Sequence, residues 1–323
     1  MGVRHKLQNM EEHINRAAGK VEFEKARRQA NREQLAARLT GRDTHSLPFE
    51  AIRSELRQQN PFYRGLQNVE LDAIVGSVGR YQEFTRQFLP LNDGLADRWV
   101  TVDALAQKGG WPPVELYQVG NIYFVKDGNH RVSVARYVNN ETIEAHVWAY
   151  PIDVAIDPTD KLDDVLIQLG EKRFMERTQL DQQHPDHNLH FTAPGRYSEL
   201  LIQIADLQQK LTVIDQTEIP YEVAVDAWYE MVYLPTIQII QDSALLDEFP
   251  GRTEADLFVW LSKHREPLHE IYGEYENLAE LAELLIKHYG ASGLRKVTRQ
   301  VRRLLGQDNL PELVEADTTQ TNE

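Results

Sequence analysis

The clearest strand pattern in the chain lies between residues 67 and 152, where β-branched and aromatic residues alternate with polar ones. The strand-like runs are Val114–Val119, Ile122–Val125 and Ile143–Trp148. Gly120-Asn121 separates the first two runs and is typical of a two-residue hairpin turn. The amphipathic stretch Val132–Val138 precedes the third run. We therefore expect a hairpin, a tight turn, a helix and a further strand in this segment.

Helical patterns dominate the flanking segments. Glu11–Leu39 contains many Ala, Glu, Arg and Gln residues and no proline, which predicts one long polar helix, and a shorter helix is expected at Pro48–Gln59. Beyond residue 152, apolar residues recur at the spacing of amphipathic helices. The helices predicted there are Tyr197–Leu211, Tyr221–Gln241, Thr253–Lys263 and Leu278–His288.

These patterns predict an α+β protein with three segments. Residues 1–66 form a basic helical N-terminal arm, residues 67–152 a small mixed-sheet domain, and residues 153–323 a mostly helical C-terminal domain with an acidic, frayed tail. The 323 residues are 41% hydrophobic, which is enough apolar material for folded domains. The chain has no cysteine, which excludes disulfides, thiolate metal sites and a cysteine nucleophile. No apolar run approaches the roughly 18 residues of a membrane helix, so we expect a cytoplasmic protein without a membrane span.

Charge is distributed unevenly. The formal net charge is −15, yet residues 1–66 hold 13 Lys/Arg against 8 Asp/Glu, or +5. A second basic stretch at residues 287–306 contains six Lys/Arg and no acidic residue. Both stretches are compatible with a solvated helix surface or with an intramolecular partner for the acidic remainder. The alternative is that residues 1–42 and 287–306 contact nucleic acid, a ribosome or a protein partner.

A candidate phosphate site lies at Asp127-Gly-Asn-His-Arg131, between the second strand and the following helix. Glycine at such a turn lets backbone amides approach an anion at the helix N-terminus. Arg131 could fork onto phosphate oxygens, His130 could donate a hydrogen bond or move a proton, and Asp127 could hold Mg²⁺ or an attacking hydroxyl. Asn129 could cap the helix. The simpler interpretation is an ordinary strand–helix turn.

Two further stretches contain candidate ligand-binding residues. Gly76–Arg80 forms a flexible, donor-rich segment in which Ser77 and Arg80 could close over the same phosphates. His184, His187 and His190 follow one another at three-residue spacing and could bind zinc. Pro185 disfavours a regular helix there, so an exposed polar loop is the simpler interpretation. With a bound metal, the segment could instead be the site of a metal-dependent hydrolase.

Residues 69–148 resemble the ParB/sulfiredoxin-like fold. The resemblance rests on the strand opened by Pro113-Val114, the hairpin and the Asp127–Arg131 turn. Gly128 and Arg131 match the ParB box, but Asn129 and His130 replace its Glu and first Arg. Sulfiredoxins place a cysteine before His-Arg, and this chain has none. The turn is closest to the Asp-Gly-His-His-Arg pattern of ADP-dependent free-serine kinases.

The whole chain also resembles an uncharacterised bacterial family that joins a ParB-like domain to a helical C-terminal region. That resemblance rests on Ile74–Arg80, Tyr123–Arg136 and Phe249–Leu257. Together the resemblances imply a nucleotide-binding protein that uses Mg²⁺ with ATP, ADP or CTP. Gly128, Asn129, His130, Arg131, Ser77 and Arg80 would bind phosphate, and Asp127 and His130 would be the catalytic pair.

Two functions follow from this assignment, and the sequence leaves open whether the protein is an enzyme. The first is a phosphotransferase or slow NTPase that acts on a small hydroxyl compound. The second is a non-catalytic regulatory or adaptor protein whose basic N-terminal helix binds the macromolecular partner. Either form is compatible with a homo-oligomer.

Overall fold

A computed structural model describes residues 2–40, 44–56, 59–106, 109–242, 246, 249, 251–263 and 280, with side chains described at 15–36 and from 44 onward. The chain divides into an N-terminal unit, Met1–Leu166, and a C-terminal unit, Ile167–Glu323. The predicted helix Leu278–His288, the basic stretch 287–306 and the acidic tail fall outside the described residues, apart from residue 280.

The N-terminal unit is built on a six-stranded mixed sheet with the order β1-β3-β5-β4-β6-β2. Its strands are β1 (Leu47–Pro48), β2 (Phe62–Glu70), β3 (Ile74–Ser77), β4 (Val114–Val119), β5 (Ile122–Asp127) and β6 (Thr142–Ala149). β3 runs parallel to both β1 and β5, and β4 runs parallel to β6. The β4–β5 and β2–β6 pairs are antiparallel. The predicted hairpin is confirmed, with Val119 paired to Ile122 across a turn in which Gly120 adopts a φ of +58°.

Four helices accompany this sheet: α1 (Gly2–Thr40), α2 (Phe49–Glu55), α3 (Ala96–Ala106) and α4 (Asn129–Tyr137). The main core joins α3 and α4 to one sheet face, and Trp99 of α3 is fully buried in it. Phe49 of α2 packs on Tyr117 and Phe124, with ring centroids 4.9 and 5.4 Å apart. The side chains of neighbouring strand residues point to opposite faces of the sheet. Phe124 therefore packs on α2, whereas Val125 belongs to the main core on the other face.

Helix α1 is anchored to the N-terminal unit. Its residues Phe23, Ala26 and Ala30 belong to the main core, and the ring of Phe23 lies edge-on to Trp99 at 5.8 Å. A Cβ on Gly19 would lie 2.9 Å from Val100 Cγ1, so this glycine permits the close approach of α1 to α3. The N-terminal unit thus contains both the predicted arm and the predicted sheet domain. The three-part division at residues 66 and 152 stays a prediction.

The C-terminal unit is helical, and its boundary falls within α5 (Leu162–Thr178). The following elements are α6 (Leu180–Gln183), α7 (Arg196–Asp215), α8 (Tyr221–Trp228), a π-helical turn (Tyr229–Tyr233), α9 (Leu234–Asp242) and α10 (Glu254–Lys263). The predicted helix Tyr221–Gln241 is therefore present but contains a π-helical turn. Phe174, Trp228, Tyr233 and Phe258 are fully buried in the core of this unit.

Helix α10 starts with a capping box, formed by Thr253 and by Asp256 three residues later. The backbone N–H of Asp256 donates to Thr253 Oγ1 at 3.2 Å, and the backbone N–H of Thr253 donates to Asp256 Oδ2 at 3.1 Å. Each residue thereby satisfies a backbone donor of the other.

The α+β fold class is confirmed: a mixed sheet, a long N-terminal helix and a helical C-terminal region are all present. Among the described residues, no helix is both long and apolar enough to cross a membrane.

Candidate functional site

The candidate site lies where β3 and β5 end side by side. The two strands are parallel, with Ser77 paired to Val125, and the Val78 N–H donates to Val125 O at 2.9 Å. Their carboxyl ends therefore meet at one edge of the sheet. The segments that follow them, Ser77–Arg80 and Asp127–Arg131, are brought to that edge, the usual position of ligand sites in open sheets with parallel strands.

Gly128 makes the sharp change from β5 to α4. Its φ is +108°, and an added Cβ would lie 2.6 Å from Val114 Cγ1, so a side chain there would be both strained and crowded. The first intrahelical bond runs from Val132 N–H to Gly128 O at 3.0 Å. The amides of Asn129, His130 and Arg131 consequently lack an intrahelical acceptor and form the partially positive end of the helix.

Asn129 and His130 are both buried at this helix start, each with 5% of its surface exposed. Asn129 Oδ1 and His130 Nδ1 have no hydrogen-bond partner among the described residues. The His130 ring lies edge-on to Phe84 at a centroid distance of 5.5 Å. Buried polar atoms are nearly always hydrogen-bonded, so two unpartnered atoms at one turn are a marked departure from the usual pattern.

Burial, together with the positive charges of Arg80 and Arg98, lowers the pKa of His130 to about 4. The imidazole is therefore neutral at pH 7. It can donate or accept a hydrogen bond according to its tautomer, but it brings no positive charge of its own.

Arg131 is engaged with the protein itself. Its Nη1 donates to Pro112 O at 2.8 Å and to Pro113 O at 2.7 Å, while its Nη2 bonds Asp127 Oδ2. The guanidinium thus connects the residues that precede β4 to the turn. The sequence suggests a different role, in which both guanidinium nitrogens are available to phosphate oxygens. A phosphate bound by Arg131 would have to share these N–H donors with the present acceptors or displace those acceptors.

Asp127 is 64% exposed on its side chain and lies at the mouth of the turn. Among the described residues it belongs to no cluster of three possible metal ligands. A single carboxylate is nevertheless sufficient for a Mg²⁺ ion that is bound together with a nucleotide. Such an ion takes one or two protein carboxylates and completes its coordination shell with phosphate oxygens and water.

Ser77 and Arg80 differ in how they face the site. Ser77 is fully buried, and its hydroxyl lies 3.4 Å from Val125 O. Arg80 is half exposed and pairs with Glu83 at 3.1 Å.

Arg98 of α3 also influences His130 electrostatically, although it lies about thirty residues away in sequence. Arg98 is exposed, and no ion pair among the described residues includes it. Sequence reasoning missed Arg98 because only the packing of α3 against α4 brings it near.

The basic arm uses several of its charges within the N-terminal unit. Arg16 bonds Asp97 at 3.1 Å and Arg27 bonds Asp93 at 3.0 Å, both across to residues near the start of α3. Deleting residues 1–42 would therefore remove packed core as well as charge. Binding of a macromolecular partner by this arm stays a prediction.

Among the described residues, His184, His187 and His190 do not together form a cluster of possible metal ligands. His184 Nε2 bonds Asp226 Oδ1 at 2.9 Å and lies in a cluster with Asp226 and Glu230. His187 is half-buried, and burial and the nearby His190 lower its pKa. His190 lies 3.7 Å from Glu171. Sequence reasoning missed Asp226 and Glu230, the acidic partners of His184. Their i, i+4 spacing, which places two residues on one helix face, was the available signal.

No protein-family model matches the chain, and no curated protein does. The resemblance to ParB/sulfiredoxin-like proteins accordingly stays a prediction. The function proposed below rests on the geometry of the site.

Proposed function

We propose that the edge formed by the ends of β3 and β5 and the first turn of α4 binds the phosphates of a nucleotide with Mg²⁺. The observation that carries this proposal is the pair of buried atoms without a partner, Asn129 Oδ1 and His130 Nδ1. They lie at the first turn of α4, whose amides have no intrahelical acceptor, and such a helix N-terminus is a general anion-binding arrangement.

Each group at this turn has a chemical role in the proposal. His130, neutral at pH 7, donates through Nδ1 to a phosphate oxygen. The Asn129 amide offers a donor and an acceptor that exchange by rotation, so it suits a phosphate oxygen or a ribose hydroxyl. Arg98 and Arg80 supply positive charge around the anion. Arg131 keeps the turn and the start of β4 in place, which makes it a positioning residue.

The enzymatic version of the proposal is a phosphotransferase or slow NTPase acting on a small hydroxyl compound. Asp127 is exposed at the turn and is the group available to hold Mg²⁺ with the phosphates or to accept the proton of an attacking hydroxyl. Asp127→Asn should then leave nucleotide binding in place and remove turnover. Unchanged turnover in this variant would contradict the catalytic role of Asp127, and absence of turnover in the wild type would leave a binding function only.

Asn129→Asp tests the binding site directly. The change keeps the shape of the side chain, and a negative charge at the first turn of α4 is compatible with the helix dipole. The same charge about 4 Å from a phosphate would cost about 4 kcal/mol at an effective dielectric constant near 20. Nucleotide affinity should therefore fall at least about a hundredfold.

The matched control is Asn140→Asp, which adds the same charge at an exposed position just beyond the other end of α4. ATP, ADP, CTP and GTP, each with Mg²⁺, are titrated calorimetrically into the wild type and both variants. We expect one nucleotide to bind the wild type and Asn140→Asp alike. The proposal fails if none of the four binds the wild type, or if Asn129→Asp binds as tightly as the control.

A further inference from the structure

A second site is suggested by three side chains in the C-terminal unit. His184 follows directly after α6, Asp226 lies on α8, and Glu230 lies on the π-helical turn. One ligand atom from each of the three lies within 4.8 Å of the other two. Forty-two residues separate His184 from Asp226, so this cluster is assembled by the fold and not by local sequence.

The histidine of this cluster is held in position by its neighbours. The His184 ring packs against Tyr229 in a tilted arrangement, at a centroid distance of 4.2 Å and an interplanar angle of 31°. Its backbone N–H donates to Leu180 O at 2.7 Å. The imidazole is 18% exposed, whereas the Asp226 carboxylate is 55% exposed. A fixed imidazole therefore faces carboxylates that remain accessible to an ion from solvent.

The separation of these atoms suits a shared metal ion. Ligand atoms that each lie about 2.1 Å from one zinc ion are roughly 3 to 4 Å from one another. The three ligand atoms lie within 4.8 Å of one another, and rotamer changes of the exposed carboxylates would bring them into that range. The π-helical turn that contains Glu230 supports the assignment, because such turns within helices are frequent at functional sites.

We propose that His184, Asp226 and Glu230 bind a divalent transition-metal ion of the zinc class. An imidazole ligand favours zinc and its neighbours over Mg²⁺ and Ca²⁺, which prefer oxygen ligands alone. Three protein ligands leave a coordination position for water or a substrate oxygen. The ion would also connect the end of α6 to α8 and the π-helical turn.

This set differs from the histidine triplet that the sequence suggests. His187 Nδ1 is buried and has no hydrogen-bond partner among the described residues, but His187 is not part of the cluster. His190 is 63% exposed on its side chain and lies near Glu171 instead. The two metal hypotheses therefore make opposite predictions for His190.

The test is calorimetric titration of the full chain, free of any histidine tag and treated with chelator, with zinc chloride in the absence of nucleotide. The variants are His184→Ala and Glu230→Gln, and the matched control is His190→Ala. We expect one zinc ion per wild-type chain. Loss of a ligand should weaken binding at least about tenfold, the loss typical even of a residue that only supports a ligand.

His190→Ala should bind zinc like the wild type, and MgCl₂ should not compete. Equal zinc affinity of Glu230→Gln and the wild type would overturn the proposal, as would loss of binding in His190→Ala, which would point to the histidine triplet. Circular dichroism verifies that each variant is folded. If His184→Ala is not folded, Glu230→Gln decides, because its side chain is exposed and nearly isosteric.

Discussion

Protonation of His130 should make the N-terminal unit sensitive to acid. The folded-state pKa of about 4 lies below the ordinary value of 6.5, chiefly because the ring is buried. As pH falls from 6.5 toward 4, the imidazole takes up a proton in the unfolded chain but not in the folded one. Acid therefore favours unfolding across this window, and the stability is fully present only above pH 6.5.

The size of the effect follows from the two pKa values. Linkage between them removes about 2 kcal/mol of the unfolding free energy between pH 7 and pH 5, and about 3 kcal/mol at the limit below pH 4. Arg80 and Arg98 act in the same direction as burial. They are partly or fully exposed, so salt should reduce their share and leave the larger contribution of burial.

The assay compares urea unfolding of the wild type and His130→Gln at pH 7 and pH 5. The glutamine variant is expected to be less stable at both pH values because it changes a buried residue. The informative quantity is the change with pH, which should be about 2 kcal/mol smaller in the variant. The reasoning is refuted if wild type and variant lose the same free energy between pH 7 and pH 5.

Two further substitutions test the packing of each unit. Phe23→Ala should destabilise the N-terminal unit by about 3–5 kcal/mol, because it empties a site that is 4% exposed, whereas Leu35→Ala on the exposed face of α1 should have little effect in the same urea assay. Asp256→Ala should lower the thermal midpoint of the C-terminal unit and reduce its free energy of unfolding by about 2–4 kcal/mol. The reason is that the fully buried carboxylate accepts hydrogen bonds from Thr192 and Thr253. An unchanged midpoint would contradict this role.

The elements that sequence patterns predicted well are those whose turn chemistry and periodicity agree. The β4–β5 hairpin has Gly120-Asn121 at its turn, and α10 begins at a capping box. Strand β2 was missed because only Val69 of its nine residues is buried, and Gly65 interrupts the pattern beside a bulge. An edge strand with one buried side chain carries almost no alternating signal.

The sequence interpretation places Gly76 and Ser77 in a flexible segment, Gly76–Arg80, but both residues belong to strand β3. All four of its residues are buried, and a Cβ on Gly76 would lie 2.3 Å from Leu47 O. The glycine is thus required by close packing against β1, a reason that only the tertiary structure reveals. The correction also matters for the site, because it fixes Ser77 as the last residue of a buried strand.

At the candidate site, the sequence indicated the turn but not its surroundings. Asp127 to Arg131 are contiguous, so their convergence needed only the strand–turn–helix pattern. The burial of Asn129 and His130, the bonds from Arg131 to Pro112 and Pro113, and the approach of Arg98 all depend on how β4 and α3 pack. Local patterns cannot contain that information.

The packing around α4 also bears on the ligand site proposed at this turn. Leaving Asn129 Oδ1 and His130 Nδ1 buried without partners costs about 1–3 kcal/mol each, against a total stability of about 5–15 kcal/mol for a typical domain. A fold selected for stability alone would replace them with apolar residues of similar size. A ligand that supplies both hydrogen bonds offsets that cost on binding, so the same two atoms that weaken the free protein would strengthen the complex.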